Sequence, residues 1–392
     1  MDEAMISVRF SGLLREFRRN SGLTQQELAD LSALSVRAVR DLESGRVHRP
    51  RRETVRLLVT TLRLEGARRA AFEEAAAAEP AEPAPPNSPF TMLGRADEVR
   101  ALLELLRSGG QRLISLTGLP GVGKTRLATE VAERLRASGW QICWHPGGRP
   151  PVGDTLLVLD GAPPSDPGIA ELLRRHPGLR VLATATGPLR LPGERVMPLA
   201  PLAAPRPAPG ADPAALLRQD AVQLFLSHVR RVRPGYQFAA GEVAVVAELC
   251  RRLDGLPAAI EHAADWCLIH PPHRLLAWAR EDPLAVACSP VADGTGPDLR
   301  TAVRTAAEEL GSGPGQLLRL LAVSGRPRTF EEIVGYVGRP ALQVARGVHA
   351  LLLRGLIRSA PGSGVECFAV PGLVRRALAE LPLPGVRLLA AV

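Results

Sequence analysis

A glycine-rich segment, GLPGVGKTRL at residues 118–127, carries the residue types that bind phosphate groups. Gly118, Gly121 and Gly123 let the backbone approach phosphate oxygens and direct N–H groups at them. Lys124 can reach the β- and γ-phosphates of a nucleotide, and the hydroxyl of Thr125 can bind Mg²⁺. Lys124 is the only lysine in the chain. A coding bias toward arginine explains the loss of the other lysines. The same bias does not explain why Lys124 is present. A compact ammonium binds phosphates at this position better than a planar guanidinium would.

The residues around this segment predict a strand before it and a helix after it. Residues 113–116 (LISL) are apolar except for one serine, and Leu127, Val131 and Leu135 lie on one face of the following helix. That order of elements separates a phosphate-binding loop from a chance match in a glycine-rich chain. The predicted nucleotide-binding residues of the loop and helix start are Gly118, Gly121, Val122, Gly123, Lys124, Thr125 and Arg126.

A magnesium-binding acid is expected at the end of a later strand. Residues 156–159 are apolar and Asp160 follows them, so Thr125 and Asp160 are the predicted Mg²⁺ ligands. The alternative is that Asp160 is only a strand-end turn residue.

Near the N-terminus, residues 24–45 predict two short helices joined by a tight turn. Thr24 and Glu27 form a capping-box pattern, with Leu28 and Leu31 predicted to face inward. In the second helix Ser35 is the predicted cap and residues 39 and 42 form the inward stripe.

The opposite face of the second helix suits the major groove of DNA, because it presents an arginine among small residues. Seven arginines and His48 lie between Arg37 and Arg56 against three acidic residues, an excess that attracts phosphate backbones. The alternative is a helical hairpin whose polar face is merely solvated.

Residues 14–72 resemble the phage-repressor-type (XRE) helix-turn-helix family through GLTQQELADLSALSVRAVRDLESGRVHRP. The resemblance implies double-stranded DNA as a partner, with Gln25 anchoring a phosphate. It places Ser35, Val36, Arg37 and Asp41 near bases, and Arg40 and Arg46 nearer the backbone.

Residues 92–285 resemble the STAND/NB-ARC-like P-loop ATPases of actinomycete, antibiotic-regulator-like proteins. The resemblance lies in MLGRADEV at 92–99, LRLPGERV at 189–196 and GLPAAIE at 255–261. It implies ATP or ADP with Mg²⁺ as cofactors. Leu93, Gly94 and Arg95 would lie near the adenine, and the segment around Pro257 would close over the nucleotide.

Proline-rich segments at 79–89, 201–213 and 289–298 mark the predicted domain boundaries. The last domain contains a predicted strand pair at 356–360 and 365–370. It is similar to the winged-helix domain of this family, either as an element that packs on the ATPase or as a second DNA-binding site. The predicted fold class is multidomain, and its parts are an all-α helix-turn-helix domain (1–76), a linker (77–91), an α/β P-loop NTPase core with a reduced parallel sheet (92–205), a helical ARC-like subdomain (206–290) and a winged helix (298–385).

Four departures from the family pattern bear on hydrolysis. The run from Lys124 to Asp160 is short: after GWQICWH only residues 146–153 remain before the next strand, too few for a parallel crossover with its helix, so one β-α unit is predicted to be trimmed. No carboxylate lies at residues 161–164, Thr186 stands in place of an arginine that senses the γ-phosphate, and the family's His-Asp pair reads Pro371 and Gly372. We therefore expect nucleotide binding with weak or no hydrolysis.

Two other hypotheses remain open from the sequence. One is an active ATPase that drives oligomeric assembly, with Asp166, Glu171 or Arg190 as catalytic groups. The other is a DNA-binding scaffold that does not bind nucleotide, whose loop is a relic.

Composition sets further expectations. Five cysteines show no metal-binding spacing, and the chain has neither a signal peptide nor a run of 18 apolar residues. These features predict a cytoplasmic protein without a membrane partner. A homo-oligomer formed on DNA or on nucleotide exchange is a further expected partner.

Overall fold

A computed structural model describes residues 10–43, 50, 52–77, 92–144, 154–204, 212–289, 298–360 and 366–379. The chain divides into two compact units, one of Met1–Pro85 with Cys143–Pro150 and one of Pro86–Ile142 with Pro151–Val392. Within the described ranges, none of the helices has the length and apolar character needed to cross a bilayer.

The first unit is helical, as predicted. Its helices are α1 (Phe10–Asn20), α2 (Gln25–Leu31), α3 (Val36–Glu43), α4 (Arg52–Thr61) and α5 (Gly66–Ala77). The core is built around Phe72, whose ring centroid lies 4.7 Å from that of Phe10 and 5.9 Å from that of Phe17. Leucines and valines from α1, α2, α3 and α4 fill the rest of the core, so α2 and α3 are fixed by burial against their neighbours.

The capping pattern of α2 is confirmed. The Glu27 carboxylate accepts from the Thr24 backbone N–H at 2.7 Å, and Thr24 Oγ1 accepts from the Glu27 N–H at 3.2 Å. Ser35 caps α3, because its Oγ accepts from the Ala38 N–H at 3.1 Å. The inward placement of Leu31 was wrong: this side chain is 64% exposed. Since α2 ends at that residue, Leu28, Ala29 and Ser32 provide the buried face instead.

The second unit begins with an α/β domain. Its elements are α6 (Ala96–Arg107), β1 (Leu113–Thr117), α7 (Lys124–Ala137), β2 (Gln141–Cys143), β3 (Thr155–Leu159), α8 (Pro167–Arg175), β4 (Leu179–Thr184) and β5 (Glu194–Pro198). The sheet has the order β2-β3-β4-β1-β5, and β1 pairs in parallel with both β4 and β5. Every residue of β1 and β3 is buried, as parallel strands covered on both faces require.

The order of the strands determines where the phosphate-loop segment and Asp160 lie. Because β4 pairs in parallel with both β1 and β3, the three strands end at one edge of the sheet. The phosphate-loop segment follows β1 at that edge and Asp160 follows β3, as predicted.

The predicted reduced parallel sheet agrees with the structure. Five strands are present, and the shortest, β2, has 3 residues. Residues 185–193 join β4 to β5, both parallel to β1, with no helix between them. At least one connection between parallel strands of this sheet therefore lacks a crossover helix. The trimmed connection between β2 and β3 falls mostly on residues 145–153, outside the described residues.

A helical arm follows the sheet. It comprises α9 (Pro213–Leu217), α10 (Asp220–Val232), α11 (Ala240–Arg252), α12 (Pro257–Asp265), a 3-10 turn (Trp266–Leu268), α13 (Pro272–Glu281) and α14 (Pro283–Ala287). Val243, Val246 and Cys250 form a buried face of α11. The chain breaks between the two helices, because α11 ends at Arg252 and α12 begins at Pro257.

The C-terminal segment combines helices with a small antiparallel sheet. Its elements are α15 (Leu299–Glu308), α16 (Ser312–Ser324), β6 (Arg328–Thr329), α17 (Phe330–Val337), α18 (Ala341–Leu353), β7 (Arg358–Ala360), β8 (Cys367–Ala369) and α19 (Gly372–Leu378). The predicted strand pair corresponds to β7 and β8, which pair antiparallel, while β6 was not predicted. Residues 361–365, which separate the two strands in the sequence, lie outside the described residues.

The arm and the C-terminal segment are joined through Asp254. Its carboxylate accepts from the backbone N–H of Leu373 at 2.7 Å and lies 3.4 Å from the Arg358 guanidinium. Burial raises the pKa of Asp254, although these partners favour its charged form. The parts predicted as separate domains over 92–385 thus belong to one compact unit where the structure describes them.

Candidate functional site

The phosphate loop is shaped by two glycines in crowded positions. Gly118 has φ +139°, and a Cβ there would lie 2.7 Å from the Leu199 carbonyl oxygen. Gly121 has φ +79°, and a Cβ there would lie 2.7 Å from Cβ of Ala258. A larger residue at either position would be strained and would displace the loop, so the sequence keeps glycine at both.

Lys124, the first residue of α7, lies inside the turn of this loop. Its ammonium donates to the carbonyl oxygens of Gly118 and Leu119, both at 2.9 Å. Burial lowers the pKa of Lys124 to about 8, and the Asp160 carboxylate opposes that shift. The one lysine of the chain is therefore held where a phosphate-binding loop needs its positive charge.

The two predicted Mg²⁺ ligands are adjacent. Thr125 Oγ1 lies 2.7 Å from Asp160 Oδ1, which also accepts from Thr184 Oγ1 at 2.5 Å. Thr184 ends β4 and accepts in turn from the Gly161 N–H at 2.9 Å, so the strand between β1 and β3 orients the carboxylate. A hydroxyl beside a carboxylate fits a hard cation that takes its other ligands from water and phosphate oxygens.

The helical arm contacts the loop directly. The Ala258 N–H, one residue after Pro257, donates to the Gly121 carbonyl oxygen at 3.1 Å. The carboxylate of Glu261 lies 3.3 Å from both Arg126 Nη1 and His228 Nε2. Burial acts to raise the pKa of Glu261, but the hydrogen bond with His228 and the nearby Arg126 guanidinium hold it below its usual value. The start of α12 is thus fixed to the loop and to α7, and Arg126 takes part in that link.

The segment predicted to approach the adenine is anchored to the same loop. The buried Arg95 guanidinium donates to the carbonyl oxygens of Ala200 at 2.6 Å and Val122 at 3.5 Å. A Cβ at Gly94 would lie 2.7 Å from Cγ of Asp220, at the start of α10. The Arg95 side chain therefore joins the start of α6 to the loop, and the adenine contacts of Leu93, Gly94 and Arg95 remain predictions.

The C-terminal segment also reaches this edge of the sheet, which the sequence did not reveal. The Thr117 hydroxyl, at the end of β1, donates to the carbonyl oxygen of Leu353 at 2.5 Å. A Cβ at Gly355 would lie 3.2 Å from the Leu119 backbone nitrogen. The hydroxyl of Thr186 donates to Glu309 Oε2 at 2.7 Å. The end of α18 and the residue after α15 therefore line the carboxyl edge of β1 and β4.

The three groups named as catalytic candidates for an active ATPase make other contacts in the structure. Asp166 caps α8, because its carboxylate accepts from the Gly168 N–H at 2.8 Å. Glu171 lies on the exposed face of α8 and pairs with Arg174 and Arg175, whose hydrogen bonds lower its pKa to about 2. Arg190 has φ +61°, and its backbone N–H donates to Glu194 at 2.7 Å.

The segment at Pro371 and Gly372 also has a packing role. Pro371 precedes the first residue of α19, and a Cβ at Gly372 would lie 3.4 Å from an Asp254 carboxylate oxygen. Pro371 and Gly372, which depart from the family's His-Asp pair, therefore lie where α19 begins and packs near Asp254.

In the first unit, α3 presents the predicted DNA-reading face. Arg37 is 92% exposed and lies 3.8 Å from the Asp41 carboxylate. Ser35 and Arg40 are exposed, while Val36 and Asp41 are half-buried. Arg46 lies outside the described residues.

Gln25 has a hydrogen-bond partner within its own domain. Its side-chain amide donates to Glu43 Oε2 at 2.8 Å, and Glu43 is buried at the end of α3. The structure thus shows Gln25 joining α2 to α3. Contact with a DNA phosphate remains a prediction for this residue.

Comparisons with known families agree with the helix-turn-helix geometry of the first unit and with the phosphate-loop geometry of the second. Residues 9–72 match the family described as a helix-turn-helix domain, and residues 91–254 match the family described as an AAA ATPase domain. The chain therefore carries a helix-turn-helix domain followed by an AAA ATPase domain. These matches confirm the helix-turn-helix and P-loop ATPase families predicted from the sequence.

Two relatives come from Mycobacterium tuberculosis. An uncharacterized protein is 30% identical over 212 residues, which cover 44% of this chain and 50% of the relative. A protein named "Putative HTH-type transcriptional regulator" is 29% identical over 191 residues, covering 39% of this chain and 20% of the relative. The matches thus span half of the first relative and a fifth of the second.

Among solved structures, a STAND protein with a tetratricopeptide repeat sensor from Pyrococcus horikoshii is similar at 16% identity, with a TM-score of 0.27. The match covers 75% of this chain and 43% of that one. A TM-score at this level does not establish a shared arrangement of domains.

Proposed function

We propose that this protein is a cytoplasmic transcriptional regulator that binds double-stranded DNA through α3 and binds ATP or ADP with Mg²⁺ at the phosphate loop. The nucleotide acts as a conformational switch with slow or no turnover, and it biases how the arm and the C-terminal segment, a proposed winged helix, close on the loop. A homo-oligomer forms on DNA or on nucleotide exchange.

One observation carries the nucleotide half of the proposal: Thr125 Oγ1 lies 2.7 Å from Asp160 Oδ1 beside a loop that encloses Lys124. In this site the loop and Lys124 would hold the phosphates, while Thr125 and Asp160 would hold Mg²⁺, which neutralises phosphate charge when it is bound. Contacts of α12 and α18 with the loop give a bound nucleotide two elements to bias, as a switch requires.

The DNA half of the proposal predicts a loss of affinity in Arg37→Ala. The exposed guanidinium contributes little to the core, so the unfolding temperature should not change. Loss of a base contact should weaken binding by roughly 5- to 150-fold. The measurement is fluorescence anisotropy at fixed salt, with a duplex that the wild-type protein has selected from a random-sequence pool.

Arg68→Ala is the matched control, because Arg68 is an exposed arginine on α5 of the same unit. It should retain wild-type affinity. Equal losses in both variants would mean that binding follows net charge alone, and an unaffected Arg37→Ala would remove α3 from the proposed DNA interface.

Slow turnover is the second prediction of the proposal. Residues 161–164 carry no carboxylate, Asp166 and Glu171 have structural partners, and the Glu309 carboxylate is bound by Thr186. These acids already have partners and residues 161–164 supply none, so we expect release of phosphate from ATP to stay well below about one per second. The assay is single-turnover phosphate release with Mg²⁺ and saturating enzyme. A rate near or above that value, lost in Asp160→Ala, would favour the active ATPase instead.

A further inference from the structure

Arg354 is fixed at the end of α18 by a Schellman motif. The Gly355 N–H donates to the Leu352 carbonyl at 2.9 Å, the Leu356 N–H donates to the Leu351 carbonyl at 3.0 Å, and Gly355 has φ +69°. One of the remaining end carbonyls, that of Leu353, accepts from Thr117 on β1. The backbone that carries Arg354 is therefore held against the strand that leads into the phosphate loop.

The Arg354 guanidinium packs on the residues that follow β4. A Cβ at Gly187 would lie 1.7 Å from Arg354 Nη1 and 2.5 Å from its Cζ. The group fits there only because residue 187 is glycine. Gly187 follows Thr186, the position at which the sequence departs from the arginine typical of the family.

The charge of Arg354 is incompletely matched where it lies. Nη1 is buried and has no hydrogen-bond partner among the residues that the structure describes. Two charged groups face the guanidinium, Glu309 with opposite charge and Arg190 with like charge. Burial and Arg190 lower the pKa of Arg354, and Glu309 opposes them. A buried guanidinium donor without a partner is costly, so its environment favours an added anion.

The position of Arg354 beside the phosphate loop indicates what kind of anion it would bind. Its turn touches the first residues of the loop at Gly118 and Leu119, and its side chain lies at the end of β4. The strand β4 also supplies Thr184, which bonds Asp160 of the proposed magnesium site. The last phosphate of a nucleotide would lie between Lys124 and the Thr125–Asp160 pair, at the edge that the end of β4 lines.

We propose that Arg354 binds the terminal phosphate of a nucleoside triphosphate, so that the C-terminal segment distinguishes ATP from ADP. This inference rests on the proposed nucleotide site. Arg354 supplies from a distant segment the cation that Thr186 does not supply, and a bidentate guanidinium suits the equatorial oxygens of that phosphate. The contact joins α18 to the phosphate loop more tightly with a triphosphate than with a diphosphate.

The test is competition binding on the full chain with fluorescent ADP as the probe and Mg²⁺ present. The competitors are ADP and the β,γ-imido analogue of ATP, which is not hydrolysed. In Arg354→Gln the affinity for the triphosphate analogue should fall roughly 10- to 100-fold, while that for ADP should change less than about threefold.

Gly187→Ala provides a second test that leaves Arg354 intact, because the added methyl must displace the guanidinium. It should lower the triphosphate-to-diphosphate selectivity in the same direction. Arg346→Gln, an exposed arginine on α18, is the matched control and should keep wild-type selectivity. Thermal unfolding checks that each variant folds, and Gly187→Ala decides the matter if Arg354→Gln does not fold.

The outcomes separate this inference from the proposed function. If the wild-type protein binds neither nucleotide, the proposed site fails and the role of Arg354 fails with it. If the wild-type protein binds both nucleotides and Lys124→Ala binds neither, the proposed site stands. Unchanged selectivity in Arg354→Gln and Gly187→Ala, or equal losses for the two nucleotides, would then overturn the inference alone.

Discussion

Replacing Lys124 with alanine is expected to lower the affinity for both ADP and ATP by about 100-fold or more. The ammonium is enclosed by the loop at 2.9 Å from two of its carbonyl oxygens, so it is already positioned for phosphates. Alanine removes the only side-chain cation of the loop and leaves its backbone N–H groups to bind phosphate alone. Competition with fluorescent ADP measures the change.

A second readout uses the fact that the chain has one lysine. An amine-selective reagent can modify only Lys124 and the N-terminal amine, so mass spectrometry reports the loop lysine without interference. Bound ADP should slow the modification of Lys124 by at least about tenfold, because the phosphates occupy its donors. Modification of the N-terminal amine in the same sample is the internal control.

Two variants define what the loss means. Arg134→Ala removes an exposed charge that pairs with Glu130 near the other end of α7, and it should bind nucleotide normally. Lys124→Arg keeps the charge but changes its shape, so it should bind more weakly than the wild type and more tightly than Lys124→Ala. Wild-type affinity in Lys124→Ala, or no protection of Lys124 by ADP, would instead support the relic-loop hypothesis.

The sequence predicted the parts of this site that depend on local pattern. A strand, glycines at fixed spacing and an amphipathic helix are encoded within residues 113–135, and the structure has them there. The pairing of Thr125 with Asp160 followed because two buried parallel strands end at one edge of a sheet. Glycines in the loop can be anticipated because few other residues tolerate their backbone geometry.

The contacts of Arg354 and Glu309 could not be predicted in this way. They join segments more than a hundred residues apart, and nothing in their local sequence distinguishes them from other surface charges of an arginine-rich chain. The edge strand β5 was missed for another reason. Its sequence, ERVMP, carries two charges and ends in proline, as exposed edge strands often do, so it lacks the apolar run that revealed β1 and β3.

For Gln25, the family resemblance and the structure point to different contacts. The resemblance placed it at a DNA phosphate, whereas the structure bonds it to Glu43. Glu43 is a buried acid whose importance the capping and apolar patterns did not signal. Its environment leads to the second large prediction, which concerns the stability of the first unit.

Glu43→Ala is expected to destabilise the helix-turn-helix domain by about 3 kcal/mol. The carboxylate pairs with Arg18 through contacts at 2.5 and 3.1 Å, and the two side chains are only 2% and 12% exposed. Among the residues that the structure describes, removing the acid leaves the Arg18 charge with one hydrogen-bond partner, the Leu23 carbonyl oxygen at 2.7 Å, and takes an acceptor from Gln25. Hydrogen exchange of backbone amides in residues 10–43 and 52–77 of the full chain measures the free energy of opening.

Glu73→Ala is the matched control, because Glu73 pairs with Arg69 on α5 at 2.8 Å but the side chains are 43% and 55% exposed. A solvent-screened pair of this kind contributes less than about 1 kcal/mol. The double variant Arg18→Met with Glu43→Ala should recover part of the loss, because no buried charge then remains unpaired. Equal effects of Glu43→Ala and Glu73→Ala would show that the buried pair has no special role.

The pH dependence gives an independent check on the same pair. Burial acts to raise the pKa of Glu43, but hydrogen bonds from Arg18 and Gln25 outweigh it and hold the pKa below its ordinary value. A carboxyl with a lowered folded-state pKa contributes stability above its unfolded value of about 4.3, and that contribution is lost as pH falls through the folded value. Exchange protection in the wild type should therefore fall more steeply below about pH 4 than in Glu43→Gln, which has no carboxyl to titrate. Parallel curves for the two proteins would place the acid sensitivity of this domain in other carboxylates and contradict the role assigned to Glu43.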